Sequence, residues 1–311
     1  KAGLIDLDLN QQQKVLNSYG YPMGLADYSA FILGGLPKQG QMLEEVKDLL
    51  LNEIKKLRAG EFDEKMLQAN INNFKLYELQ SMESNEGRAD IFVNSFINGT
   101  NWEDEVTAID RMAKLTKEDI VAFADKYLKE DNYAVVYKKQ GKDPNEKKMT
   151  KPEITPIVSN RDVASPFLTS IQENAVKPIE PVFLDFKKDM SQLTAKSDIP
   201  VLYKQNTTND LFQLIYVFDM GNNNDKALGT AFDYLEYLGT SDMTPEELKS
   251  EFYRLACTFY VSPGNERTYV VLSGLNENMP AAMQLFEKLL ADAQVNKEAY
   301  DNLVGDILKA R

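Results

Sequence analysis

The sequence predicts an α+β fold in two domains, each with helices packed on one face of a mainly antiparallel sheet, joined by a proline-rich linker. Three observations predict it. A chain of 311 residues is longer than a single hydrophobic core usually supports. Its first part reads as strand, several helices, then strand, the order of an α+β domain. Regular periodicity then stops and resumes as a second set of strands and helices, so the expected division is 1–139, 140–190 and 191–311.

In the first domain, Tyr28 to Leu36 is a short apolar stretch carrying Gly34 and Gly35 and followed by a Pro37 to Gly40 turn, which predicts a strand. Met42, Leu43, Val46, Leu49, Leu50, Ile54 and Leu57 then recur at helical spacing. Glu44, Lys47, Glu53 and Lys56 are expected to face away, Gly60 is the stop, and the apolar face should pack on a sheet. Asp63 is positioned to cap a second helix with a Phe62–Leu67 staple and a Leu67, Ile71, Phe74 stripe. Ser84 caps a third, with Ala89, Phe92, Val93, Phe96 and Ile97 on one face and Gly99 at its end. Trp102, Val106 and Ile109 mark a fourth. Thr116 and Asp119 form a capping box for a fifth, stapled by Leu115 and Ile120 and carried by Phe123, Tyr127 and Leu128. A strand from Tyr133 to Tyr137 should close the domain.

Between Gln140 and Met190 six prolines (Pro144, Pro152, Pro156, Pro166, Pro178 and Pro181) replace periodicity. Proline fixes φ and lacks an amide hydrogen, so extended conformations are expected. Ile154, Ile157, Phe167, Val182, Phe183, Leu184 and Phe186 are apolar enough that they should find cover. In the second domain, Ile199–Tyr203 and Leu211–Phe218 should form a hairpin through the Asn206–Asp210 turn. A helix bearing Leu228, Phe232, Leu235 and Leu238 ends at Gly239, and Thr244, Pro245 and Glu247 start the next, stapled by Met243 and Leu248. Strands at Thr258–Val261 and Arg267–Leu275 follow. A helix then opens with Pro280 and points Met283, Phe286, Leu289 and Leu290 inward, and a last helical pattern runs to Arg311.

Composition limits the chemistry. There is no histidine, so neither an imidazole base, a Ser-His-Asp triad nor a histidine-ligated zinc site can be built from this chain. The single cysteine, Cys257, forms no internal disulfide and reads as core filler. Forty-eight acidic against 35 basic residues give a net charge of -13, which repels nucleic-acid phosphates and favours basic partners. No run approaches the roughly 18 apolar residues of a membrane span. Glycine-rich phosphate-binding signatures are missing. The acidic stretch Asp219 to Asp225 has alternating oxygen donors, but Thr230 stands where a calcium loop needs a bidentate carboxylate, so it reads as a turn. Asn98-Gly99-Thr100 and Asn206-Thr207-Thr208 fit the glycosylation tripeptide and read as turn asparagines. Lys1 is not preceded by an initiating methionine or signal pattern, and Arg311 falls within a helical pattern. The expectation is a piece of something longer, any targeting segment of which would precede Lys1, so localisation is not readable from these residues and a periplasmic or otherwise exported location is only a guess.

Four stretches in series, Leu43 to Phe74, Ser81 to Asp90, Asn98 to Val106 and Leu115 to Val136, resemble the second, non-catalytic domain of pitrilysin- or insulinase-type zinc peptidases. Ile199 to Gly221 and Pro245 to Leu275 resemble the opening of that family's third domain, itself related to the catalytic one. In an active domain of the family the helix between them bears H-x-x-E-H, two zinc-holding imidazoles around a glutamate base. Here the five residues are Asp233, Tyr234, Leu235, Glu236 and Tyr237: Glu236 keeps the place of the base while Asp233 and Tyr237 replace the histidines. A register three residues earlier puts Thr230, Asp233 and Tyr234 there instead.

The resemblance therefore implies the central part of a larger zinc metallopeptidase, with no catalytic or metal-binding residue of its own, and with zinc in the full-length protein bound upstream of Lys1. The chain would contribute chamber wall around a peptide or unfolded polypeptide, basic ones being favoured by the charge, and would pack with other domains of the same protein. The alternative is a non-enzymatic scaffold subunit of the same fold within a larger assembly.

Overall fold

The computed structural model describes residues 2–25, 27–142, 147, 149–157 and 159–310; Pro144 of the proline series, Lys1 and Arg311 lie outside the described residues. The fold is α+β with small antiparallel sheets. Packing divides the chain into two units, one made of Lys1–Val135 with Asn206–Arg311 and the other of Val136–Gln205. The first unit thus draws on residues from both sides of the 140–190 segment.

The first unit opens with a π-helical turn, Asp6–Gln11, and a hairpin of β1 (Asn17–Gly24) and β2 (Ser29–Leu36) paired along their whole length. Gly34 and Gly35 are required by close approach. A side chain at Gly34 would enter the Tyr19 ring, and a Cβ at Gly35 would lie 2.5 Å from Val46 Cγ1. Val46 belongs to α1 (Leu43–Ala59), which ends at Gly60 in the left-handed conformation (φ 70°) that glycine adopts without cost. As expected, α1 packs on the sheet: Val46 and Leu50 close on Leu9, Val15 and Leu33. Glu53, expected to face solvent, is instead 3% exposed, because positions 46, 50 and 53 share one helical face and that face meets the N-terminal turn.

Helix α2 (Lys65–Ser81) starts where the Asp63 carboxylate accepts from the Lys65 amide at 3.0 Å. Its buried stripe is Ala69, Asn73 and Leu76, not the expected Leu67, Ile71 and Phe74, since the core it meets lies in the later part of the chain. Ser84 caps α3 (Asn85–Asn98) and Gly99 ends it in the left-handed region, as the sequence predicts. The apolar face of α3, however, is exposed. α4 (Trp102–Val106) and α5 (Ala108–Met112) replace the single fourth helix, broken at Thr107. The capping box of Thr116 and Asp119 is present on α6 (Lys117–Tyr127), which buries Ala124 while Phe123 and Tyr127 stay exposed. Tyr133 to Tyr137 form no strand, since no described strand edge pairs with them.

The Val136–Gln205 unit holds α7 (Pro166–Gln172), with Ser165 as cap and Pro166 in the first turn, and a small hairpin of β3 (Ser191–Thr194) and β4 (Pro200–Tyr203). The expected pairing of 199–203 with 211–218 is therefore replaced. Pairing across the short 195–199 connection costs less loop-closure entropy than across 204–210. The apolar residues singled out between 140 and 190, expected to find cover, are exposed: Ile157 is 91% and Val182 94% exposed.

The first unit resumes with β5 (Leu211–Phe218), α8 (Leu228–Leu235), α9 (Pro245–Arg254), β6 (Cys257–Pro263), β7 (Thr268–Leu275), α10 (Met279–Asp292) and α11 (Lys297–Ala310). β5 pairs with all eight residues of β7, which also pairs with β6, giving the order β5-β7-β6. On one face Phe212, Val270, Leu272 and Cys257 pack against Phe252 and Leu255 at the end of α9 and Ala282 and Phe286 of α10. Phe286 sits among Tyr216 and Phe259 rings at centroid distances of 5.9 and 4.9 Å. Leu290, expected inward, is exposed, and Leu285 packs in its stead. By the two-residue alternation of strands Leu211 and Leu275 belong to the opposite face, where Leu76 of α2 covers them.

Candidate functional site

The residues singled out by sequence, Asp233, Glu236 and Tyr237, straddle the end of α8. The helix tightens there into i to i+3 bonds, Tyr237 N–H to Tyr234 O at 3.0 Å and Leu238 N–H to Leu235 O at 3.2 Å. Gly239 then bridges to Gln294 and approaches Pro245 so closely that a Cβ would meet its ring at 3.2 Å. This fixes the turn against α9. Leu235 points into the core with Leu238, Leu248 and Leu289, which leaves Asp233 and Glu236 exposed and Tyr237 half-buried. In the earlier register, Tyr234 is occupied structurally: its hydroxyl donates to Asn296 O at 2.6 Å and accepts from Asn296 N–H at 2.7 Å.

Glu236 and Tyr237 border a polar cleft of about 200 Å³ also lined by Asp6, Asn10, Gln11, Gln13, Lys249 and Asp306. Its walls come from the π-helical turn, the α8–α9 region and α11. Gln11 Nε2 donates to Glu236 O at 2.8 Å, and Lys249 Nζ donates to Gln11 Oε1 at 3.0 Å. Lys249 lies 3.3 Å from Asp6 Oδ2, and Asp306 pairs with Lys38 at 3.2 Å. Gln13 Nε2 donates to Ala299 O at 3.1 Å and its Oε1 accepts from Asn302 at 3.3 Å. These bonds make the cleft a seam between distant segments.

Burial raises the pKa of the Tyr237 phenol, and the negative charges of Glu236, Asp306, Asp233 and Asp6 raise it further. It is thus a neutral phenol at physiological pH. The donor set at the end of α8 is one neutral phenol and two solvated carboxylates, and it lacks the imidazole nitrogen or thiolate sulfur on which zinc sites are mainly built. Among the described residues no group of three or more Cys, Asp and Glu side chains is placed to hold a metal ion. The Asp219–Asp225 segment is held as a turn: Gly221 N–H donates to Asn224 Oδ1, Asn222 N–H to Gly264 O, and Asp219 pairs with Arg267 at 2.9 Å. Asn206 makes an Asx turn, its Oδ1 accepting from the Thr208 amide at 3.0 Å.

A second, more apolar cavity of about 400 Å³ shares Asp6, Glu236 and Lys249 with the cleft and continues between α2 and α9, past Asn73, Tyr77 and Tyr253. Tyr253 donates to Asn70 Oδ1 at 2.7 Å, and Asn73 Nδ2 to Tyr253 O at 2.7 Å. Cys257 at its floor is buried, and that burial pushes its thiol up to about 11. Sequence reasoning did not find Asp6, Gln11, Lys249 or Asp306, whose partners lie hundreds of positions away. The only local signal for Asp6 is the alternation of apolar residues and Asp from Ile5 to Leu9, and Gln11 has none.

No protein-family model matches the sequence, and no curated protein matches it. Among solved structures the chain is similar to the periplasmic protease PqqL from Escherichia coli, at 12% identity over 96% of this chain and 37% of that one, with a TM-score of 0.35. It is also similar to the ferredoxin protease FusC, solved as a mutant with Arabidopsis ferredoxin, at 9% identity over 98% and 36% of the two chains with a TM-score of 0.35. A protease from Helicobacter pylori aligns at 13% identity over 35% of this chain and 27% of that one, with a TM-score of 0.31. The chain spans between 27% and 37% of the length of these neighbours. Among the described residues no helix is long and apolar enough to cross a membrane.

Proposed function

We propose that this chain is the non-catalytic central part of a pitrilysin- or insulinase-like zinc metallopeptidase, serving as wall and enclosure for a peptide or unfolded polypeptide. The observation that carries the reading is the donor set at the end of α8. In the register that sets Asp233, Glu236 and Tyr237 against the family's zinc-binding motif, these positions hold two exposed carboxylates and a half-buried neutral phenol, and the Glu236 carbonyl is tied to Gln11 as part of a structural seam. Zinc belongs, in this reading, to residues upstream of Lys1.

Enclosure draws support from the three-stranded sheet. On the face opposite α9 and α10, beyond the part covered by α2, Ile215, Val217, Tyr260 and Tyr269 are exposed. β5 and β6 are edge strands of that sheet. Unpaired backbone groups beside an apolar, aromatic surface suit an extended polypeptide of low sequence preference. The net charge of -13 favours basic substrates. Peptide hydrolysis by the full-length protein, measured with and without a zinc chelator, tests the proposal: cleavage abolished by the chelator and restored by zinc is the expected result. Chelator-insensitive cleavage sinks it, and absent cleavage sinks it in favour of a scaffold subunit.

A further inference from the structure

The face that α3 was expected to bury is open. Phe92, Val93, Phe96 and Ile97 lie 51–89% exposed along α3, and Trp102 of α4 stacks on Phe92 with ring centroids 4.5 Å apart, extending the same surface. The surroundings are strongly acidic. From Ser81 to Arg111 there are seven carboxylates, Glu83, Glu86, Asp90, Glu103, Asp104, Glu105 and Asp110, and two cations. Both cations are engaged locally, Arg88 on Asn85 Oδ1 at 2.7 Å and Arg111 on Asp104.

We propose that the α3–α4 surface docks a basic amphipathic helix of a partner polypeptide. The apolar ridge from Phe92 to Ile97 lies on a 14-residue helix about 21 Å long, against which a second helix can lie. Strand addition is not open to it, because the amides and carbonyls of a helix interior are already paired within the helix. The charge selects the sign of the partner: lysines or arginines flanking its apolar side meet Glu86, Asp90, Glu103 and Glu105. A second copy of this chain is disfavoured on the same ground, since it would set two acidic rims against each other.

Trp102 is the only tryptophan, so its emission reports on this surface directly. The test titrates the intact chain with a synthetic amphipathic peptide of roughly 18 residues, leucine on one side and lysine on the other, and with the same peptide carrying glutamate for lysine. The lysine peptide should give a saturable blue shift of Trp102 that weakens as salt rises. Phe96→Asp, and separately Asp90→Lys with Glu103→Lys, should each weaken binding by about tenfold or more. Phe96 is 89% exposed, so its substitution removes nothing from a core, and circular dichroism checks that each variant keeps its helices. Equal binding of the two peptides, or binding indifferent to the substitutions, would overturn the proposal. So would self-association that Phe96→Asp abolishes while the lysine peptide has no effect.

Discussion

Glu53 shows how much a single side chain depends on chain far from it. Its Oε1 accepts from Lys56 Nζ at 2.9 Å, Lys56 also donates to Asp8 at 2.5 Å, and its Oε2 is buried without a hydrogen bond. Burial raises the Glu53 pKa above its ordinary 4.5, and Asp8 holds that of Lys56 up. The folded state therefore keeps the Glu53 proton to higher pH than the unfolded chain does. Its contribution to stability is full below 4.5 and is lost as the pH climbs through the raised folded value. Glu53→Gln should accordingly be more stable than the parent at neutral pH, by on the order of 1 kcal/mol in urea unfolding, and equal to it below the ordinary value. A stability difference that does not change with pH would contradict burial of the charge. From the sequence Glu53 reads as solvent-facing, because a carboxylate beside lysines on a helix normally is; only the fold brings the Asp6–Gln11 turn onto it.

At the scale of elements, what is local was legible and what is distant was not. Both capping boxes, at Thr116 and Thr244, occur where the sequence puts them, because a cap is made by residues three apart. Thr244→Ala should cost about 1 kcal/mol by denaturant titration, and Thr244→Ser should restore most of it. A loss below a few tenths would mean that packing of Leu248 and Phe252 alone sets the start of α9. The strand pairings were misread for a complementary reason. Apolar patterning identifies a segment that can be a strand but not the edge it will join, so Leu211–Phe218 takes β7 rather than its sequence neighbour, and 133–137 takes no partner. The end of α8 was legible as a motif position stripped of histidine. The cleft around it was not, since Asp6 and Lys249 meet across a separation no local pattern records.

At the scale of the molecule, the first unit is assembled from two stretches of chain, and the described residues of 136–205 are largely irregular with exposed apolar side chains. Limited proteolysis should cut first within that segment, where backbone is solvated and few side chains pack. The two remaining pieces should elute together in gel filtration, held by clusters such as Leu76 with Leu211 and Leu275 and by bonds such as Asn73 to Tyr253. Separation of the pieces under native conditions would show that each stretch folds by itself. The same two-part construction imposes an order of events while the protein is being made. Leu9, Val15, Val46 and Leu50 can gather early, but Leu76 and Gln13 depend on residues translated much later, Ala299 being 286 positions beyond Gln13. At roughly 5–20 residues per second the ribosome needs roughly 15–60 s to cover that distance. For that interval the nascent polypeptide offers a half-built core, the state that holdase chaperones recognise.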